Sequence, residues 1–124
     1  MRYRMLFSLP VGALLLSACG GGHGGHGADS PVAEGAREIE VTAEGLSFTP
    51  DELRVSVGED IAVVLTSEDG QHDFTIDDLD AHVAVGPGDT ARGGFSASDP
   101  GRYDFYCSVP GHRAGGMEGV LIVE

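Results

Sequence analysis

From Arg37 onward the apolar residues recur at every second position, and this constrains the fold more than any other feature of the chain. Ile39 and Val41, then Leu53, Val55 and Val57, then Ile61, Val63 and Leu65, then Phe74 and Ile76, then Tyr103, Phe105 and Cys107 each mark one face of a strand. Successive side chains of an extended chain point to opposite sides, so only one face of each strand needs a core. Turn signals separate the strands: "VGED" at 57–60, "SEDGQ" at 67–71, "VGPGD" at 85–89 and "SDPG" at 98–101. No stretch offers a capped amphipathic helix of ordinary length. The pattern predicts an all-β domain over 37–124, a two-sheet antiparallel Greek-key β-sandwich.

The segment before that pattern differs in kind. Arg2 and Arg4 precede an apolar run, Met5 to Leu16, that is too short to anchor in a bilayer, so residues 1–18 read as an export signal. "LSAC", Leu16 to Cys19, resembles the bacterial lipoprotein box, which implies cleavage before Cys19 and its lipidation; ordinary cleavage leaving a free Cys19 is the alternative. The lipid reading places the domain on the exported face of a bacterial cell envelope, periplasmic or extracellular. Gly20 is not the aspartate of an inner-membrane retention signal, which leaves the outer membrane open. Residues 19–36 are glycine-rich without apolar periodicity and read as a flexible tether. His23 and His26 in the tether could catch stray metal ions, but two mobile imidazoles lose much entropy on chelation.

Without the leader, five arginines stand against twenty carboxylates, a formal balance of −15. Such a surface repels nucleic acid and favours basic partners. With Cys19 acylated, Cys107 has no partner, so no disulfide reinforces the exported domain.

"YCSVPGHRAGGM", Tyr106 to Met117, supplies a different reinforcement: a thiol, an imidazole and a thioether on one loop. Pro110 fixes φ, while Gly111, Gly115 and Gly116 allow tight reversals that can aim Cys107, His112 and Met117 at one point. A further imidazole comes from His72 in "GQHDFTID", which opens a strand directly after a glycine turn. Thiolate and two imidazoles suit zinc or copper, and a thioether adds little to zinc, whereas two histidines, one cysteine and a weak axial methionine make a blue-copper electron-transfer site. His82 in "LDAHVAV" is the rival first ligand, but it alternates with Val83 and Val85 and should face outward. Singly, each of the four also fits an ordinary loop or core role; jointly they form a copper pattern.

These residues resemble those of the cupredoxins, the small blue copper proteins, over roughly Glu38 to Glu124. The resemblance implies His72, Cys107 and His112 as equatorial ligands, Met117 as the axial one, and a Greek-key sandwich of eight or so strands. The plastocyanin side of the family is nearer, since the phytocyanins' disulfide has no counterpart here. Family members often carry asparagine after the first histidine, bonded to a Ser or Thr after the cysteine; this chain has Asp73, with Ser108 as its possible partner. A carboxylate near the thiolate favours Cu(II) and lowers the potential.

A copper ion held this way has no open equatorial position for a substrate, which points to a one-electron carrier rather than an enzyme. The resemblance places His112 at the surface, with Pro110, Gly111, Ala114 and Pro87 as an apolar patch and Arg113 at its rim. The acidic surface would steer a basic redox protein such as a cytochrome c or an oxidoreductase domain. A copper-binding module for storage or delivery is the alternative from another class, and a metal-free adhesive sandwich is a third.

Overall fold

A computed structural model describes residues 29–124. The export signal 1–18, the lipidation site Cys19 and the tether histidines His23 and His26 lie outside the described residues. Nine strands follow: β1 Arg37–Glu44, β2 Ser47–Thr49, β3 Glu52–Val55, β4 Ile61–Ser67, β5 His72–Ile76, β6 Ala81–Val85, β7 Thr90–Phe95, β8 Gly101–Tyr106 and β9 Glu118–Val123. The one helical element described is a 3-10 turn, Asp77–Leu79, between β5 and β6.

Two sheets form, with strand orders β2-β1-β4-β7 and β3-β9-β8-β5-β6. The expected sandwich is therefore present, with one difference: β1 pairs parallel to β4 and β3 parallel to β9, while the other pairings are antiparallel. The physical reason is the crossover. The chain leaves one sheet after β2, forms β3 at the edge of the other, and returns as β4 beside β1 in the same direction.

Period-two alternation delivers the core as the sequence suggests. Val41, Leu53, Val55, Ile61, Val63, Leu65, Phe74, Ile76 and Phe105 are all buried. Val57 departs from its pattern: it is 45% exposed, because the strand ends at Val55 and the turn has begun. At the centre lie three rings. Phe74 of β5 stacks on Phe105 of β8 with centroids 4.7 Å apart, and Phe48 of β2 meets Phe105 edge-on at 5.3 Å. Gly119 of β9 leaves room for this, since a Cβ there would come within 2.2 Å of Phe105 Cζ and 2.5 Å of the Asp51 carbonyl oxygen.

Strand β7 has no clean alternation in sequence because two glycines stand where neighbouring chain, Val83 on one side and residues 30–32 on the other, approaches closely. Its "GG", Gly93 and Gly94, lies under residues 30–32; a Cβ on Gly94 would meet the Pro31 carbonyl oxygen at 2.3 Å. Ser30 donates its N–H to the His82 carbonyl (2.8 Å) and accepts from the Gly94 N–H (3.0 Å), while the Asp29 carboxylate accepts from the Ala84 N–H (2.8 Å). Residues 29–32, expected within the flexible tether, are thus tied to the sandwich. They bridge β6 and β7, the adjoining edges of the two sheets, by satisfying backbone groups that an open edge would leave unpaired.

Replacing Phe105 with alanine removes the ring that both other aromatics touch, and we expect a loss of about 3–5 kcal/mol in urea unfolding of the metal-free domain. A loss under about 1 kcal/mol would show that the ring cluster does not carry this core.

Candidate metal centre

The alternation that builds the core also aims the donors. His72, Phe74 and Ile76 share the inward face of β5, and Cys107, one residue past β8, continues the inward face of Phe105, so imidazole and thiol enter from the core side. The pairing of Thr75 with Tyr106 brings the two strands side by side. His72 is 2% exposed and Cys107 fully buried.

His112 arrives from the loop between β8 and β9. The His112 N–H is bonded to the Val109 carbonyl (3.0 Å), the Met117 N–H to the His112 carbonyl (3.0 Å), and the Cys107 N–H to the Met117 carbonyl (3.1 Å). The last of these closes the loop at its base. Gly111, at φ 85°, takes the left-handed conformation that the reversal before His112 requires. Met117 is fully buried at the loop's return.

Three donor atoms converge. Cys107 Sγ lies 3.4 Å from His112 Nδ1 and 4.0 Å from His72 Nδ1, and all three lie within 4.8 Å of one another. For bonds of roughly 2.0 Å to nitrogen and 2.3 Å to sulfur, donors about 120° apart around one ion would be separated by roughly 3.5–3.8 Å. The two sulfur–nitrogen spacings, 3.4 and 4.0 Å, bracket the value for donors sharing a single ion, and one thiolate with two imidazoles suits copper or zinc. His82 is not among the clustered donors; its Nδ1 is 3.0 Å from Thr75 Oγ1 on the neighbouring strand.

Burial pushes the Cys107 thiol above its usual range, and backbone N–H groups of Asp73 and Val109 pull the other way by favouring the thiolate. The Asp73 N–H lies 3.4 Å from Sγ. The Asp73 carboxylate, nearly buried, accepts from the Ser108 N–H (2.7 Å), from the Ser108 hydroxyl and from Thr75 Oγ1 (3.1 Å). The Asp73–Ser108 contact expected from sequence is present. It ties the residue after one donor to the residue after another.

One contact was not anticipated. His72 Nε2 lies 2.8 Å from Asp69 Oδ1, and Asp69 Oδ2 accepts from the Gly45 N–H at 2.7 Å. The signal was an aspartate three residues before a histidine across a glycine turn, "DGQH", which reads from sequence only as a turn.

His112 is half-buried, at a depression lined by Gly45, Gly70, Gln71, His72 and Val109. Leu46, 44% exposed, stands over the same loop, since a Cβ on Gly115 would touch its Cδ1 at 2.6 Å. Pro110 and Ala114 are exposed nearby in sequence, and the turn bearing Pro87 is fastened to this end by the Gly88 N–H bonded to the Ser67 carbonyl (3.1 Å). Arg113, exposed next to His112, lies over the Tyr106 ring, its Cζ 4.0 Å from the centroid.

The cupredoxin-like domain family matches residues 11–123. An auracyanin from Roseiflexus castenholzii, solved in its dithionite-reduced form, superposes with a TM-score of 0.61 at 27% identity, covering 72% of this chain and 98% of its own. Auracyanin A from Chloroflexus aurantiacus, described as a "blue" copper protein, gives 0.63 at 23% identity, covering 73% and 100%. A nitrous-oxide reductase of Ralstonia nicotianae is 30% identical over 74 residues, which is 56% of this chain but only 12% of that enzyme's length.

The raised thiol makes the metal-free domain sensitive to alkali. An unfolded chain's thiol ionises near pH 8.5, whereas the buried one keeps its proton to higher pH. Above about pH 8.5 the unfolded state therefore binds fewer protons than the folded state, and stability falls as pH rises, by at most about 1.4 kcal/mol per pH unit; below that range no such slope exists. Urea unfolding between pH 7 and 10 measures this, and a slope that persists in Cys107→Ala would assign the titration to another group.

Proposed function

The chain belongs to the cupredoxin-like family, and from that premise we propose that it is a blue copper protein that carries single electrons between redox partners. One observation carries the reading: a thiol and two imidazole nitrogens, from separate strands and a loop, lie within 4.8 Å of one another above a closed apolar core. His72, Cys107 and His112 would hold the ion, and Met117, buried at the loop's return, would add a weak thioether donor. A bound copper ion supplies a one-electron couple between Cu(II) and Cu(I).

The residues of this chain fit that task. His72 opens β5, Cys107 directly follows its partner strand β8, and the loop bearing His112 and Met117 is closed by backbone hydrogen bonds, so the sandwich itself would hold the donors in place around an ion. Burial of His72, Cys107 and Met117 keeps water out, while half-buried His112 is the side chain through which an electron enters and leaves. The exposed Leu46, Pro110 and Ala114 give a small apolar contact face suited to brief encounters. The excess of carboxylates favours a basic redox protein, such as a cytochrome c or an oxidoreductase domain. The leader and "LSAC" support removal of residues 1–18, a lipid on Cys19 and a position on the exported side of the cell envelope.

Copper addition to the purified domain tests the reading. An intense visible sulfur-to-copper band, its loss in Cys107→Ser, and a reversible one-electron titration with the metal retained are the expected results. A colourless holo protein sinks the reading, and rapid surrender of Cu(I) to a chelator would favour storage or delivery instead.

The Asp73 carboxylate, bonded to Ser108 directly after the cysteine, should hold the potential down. Asp73→Asn keeps an acceptor for the Ser108 N–H but removes the charge, and the potential should rise by roughly 40–90 mV, corresponding to a charge interaction on the order of 1–2 kcal/mol. Voltammetry at pH 7 reads this directly; an unchanged or lowered potential contradicts it.

A further inference from the structure

The two histidines of the centre are held differently. His112 has one ring nitrogen toward the thiol, and among the described residues no side chain or backbone group is bonded to its Nε2. His72 has Nδ1 toward the thiol and Nε2 against a carboxylate oxygen at 2.8 Å. That carboxylate is itself fixed. Asp69 Oδ2 takes the N–H of Gly45 in the β1–β2 turn, and the neighbouring Glu68 N–H is bonded to the Ala43 carbonyl (3.0 Å), so the turn 67–71 is latched onto β1 at two adjacent points. The Ser67 hydroxyl, bonded to the Gly70 carbonyl, closes the turn from inside.

We propose that Asp69 is a positioning residue for the copper centre: it fixes His72 as the Nε2–H tautomer, with the Nδ1 lone pair aimed at the thiol, and its charge strengthens that imidazole as a donor. The chemistry follows from the hydrogen bond alone. An ionised carboxylate only accepts, so the nitrogen facing it must carry the proton, and a neutral imidazole then has its lone pair on the other nitrogen. The second carboxylate oxygen of Asp69 accepts from the Gly45 N–H, and the side chain is 46% exposed, so water reaches it and supports the charged form. Metal-bound histidines that give their second N–H to a carboxylate are more basic and better oriented than those that do not. Two carboxylates thus flank one centre from separate places: Asp73, bonded to Ser108 directly after the cysteine, and Asp69 behind the first imidazole.

The assignment rests on His72 being a copper ligand, and its test has an arm that needs no copper. Nitrogen-15 NMR of the metal-free domain, at a pH where the imidazoles are neutral, reads the tautomer of each histidine. His72 should be wholly Nε2–H in the wild-type protein and in Asp69→Asn, whose amide oxygen still accepts. In Asp69→Ala it should be a mixture, with His112 unchanged as the internal reference. Copper affinity should fall about 10- to 100-fold in Asp69→Ala. In Asp69→Asn the potential should rise while the visible band is kept, a separation that a purely structural role would not produce. Asp69→Ala with the wild-type tautomer and undiminished affinity overturns the assignment. Should Asp69→Ala fail to fold, an Asp69→Asn potential equal to that of wild type overturns the role of the charge. If the wild-type domain takes up no copper, the functional reading falls, and the tautomer measurement still decides whether Asp69 sets the imidazole.

Discussion

Everything in this domain depends on two neighbouring strands presenting the same inward face. Because side chains alternate along β5 and β8, the residues two positions from Phe74 and Phe105 must also face the core, and those residues are His72 and Cys107. The stacking of the two rings fixes the distance between the strands where the donors emerge. A shift of one residue in either strand would turn a donor outward and a polar neighbour inward. Core packing and donor geometry are therefore one constraint, and the centre inherits the rigidity of the sandwich.

A buried thiol among apolar side chains resists ionising, and the surroundings of Cys107 answer this with dipoles rather than with a cation. Backbone N–H groups of Asp73 and Val109 point to the sulfur. Two carboxylates also stand near the donors: Asp73, whose two oxygens are occupied by Ser108 and Thr75, and Asp69, held by Gly45. Such an arrangement favours the more positive oxidation state of a bound metal. Both carboxylates are held by hydrogen bonds on each oxygen, Asp73 by Ser108 and Thr75 and Asp69 by His72 and Gly45, so their charges act from defined points.

Away from the centre, the structure closes its own open side. Strands β6 and β7 are the adjoining edges of the two sheets, and residues 29–32 lie across both, bonded to His82, Ala84 and Gly94. The rigid part of the molecule thus begins before the first strand. At the other end, half-buried His112 and exposed Leu46 mark where the enclosed centre comes nearest to a partner.

The two-layer β architecture was legible in the alternation of Ile61, Val63 and Leu65 or of Phe74 and Ile76, since burial on one face leaves that trace in any chain. The donor types were legible as well, because Cys107, His112 and Met117 share a short loop whose proline and glycines announce a reversal. Strand β7 and the strap of residues 29–32 were not, for their partners are backbone groups and their glycines read as loop. The parallel β1–β4 and β3–β9 pairings follow from the crossover between sheets, which leaves no local mark. Neither was the grip of Asp69 on His72 visible, although only three positions separate them, since spacing in a turn does not say which way a side chain points. Sequence alone determined which atoms are offered and on which face of each strand, because both are local properties of the chain. The tertiary structure alone decided which of those atoms meet and which carboxylates stand behind them, because strand order and cross-sheet contacts join residues far apart along it.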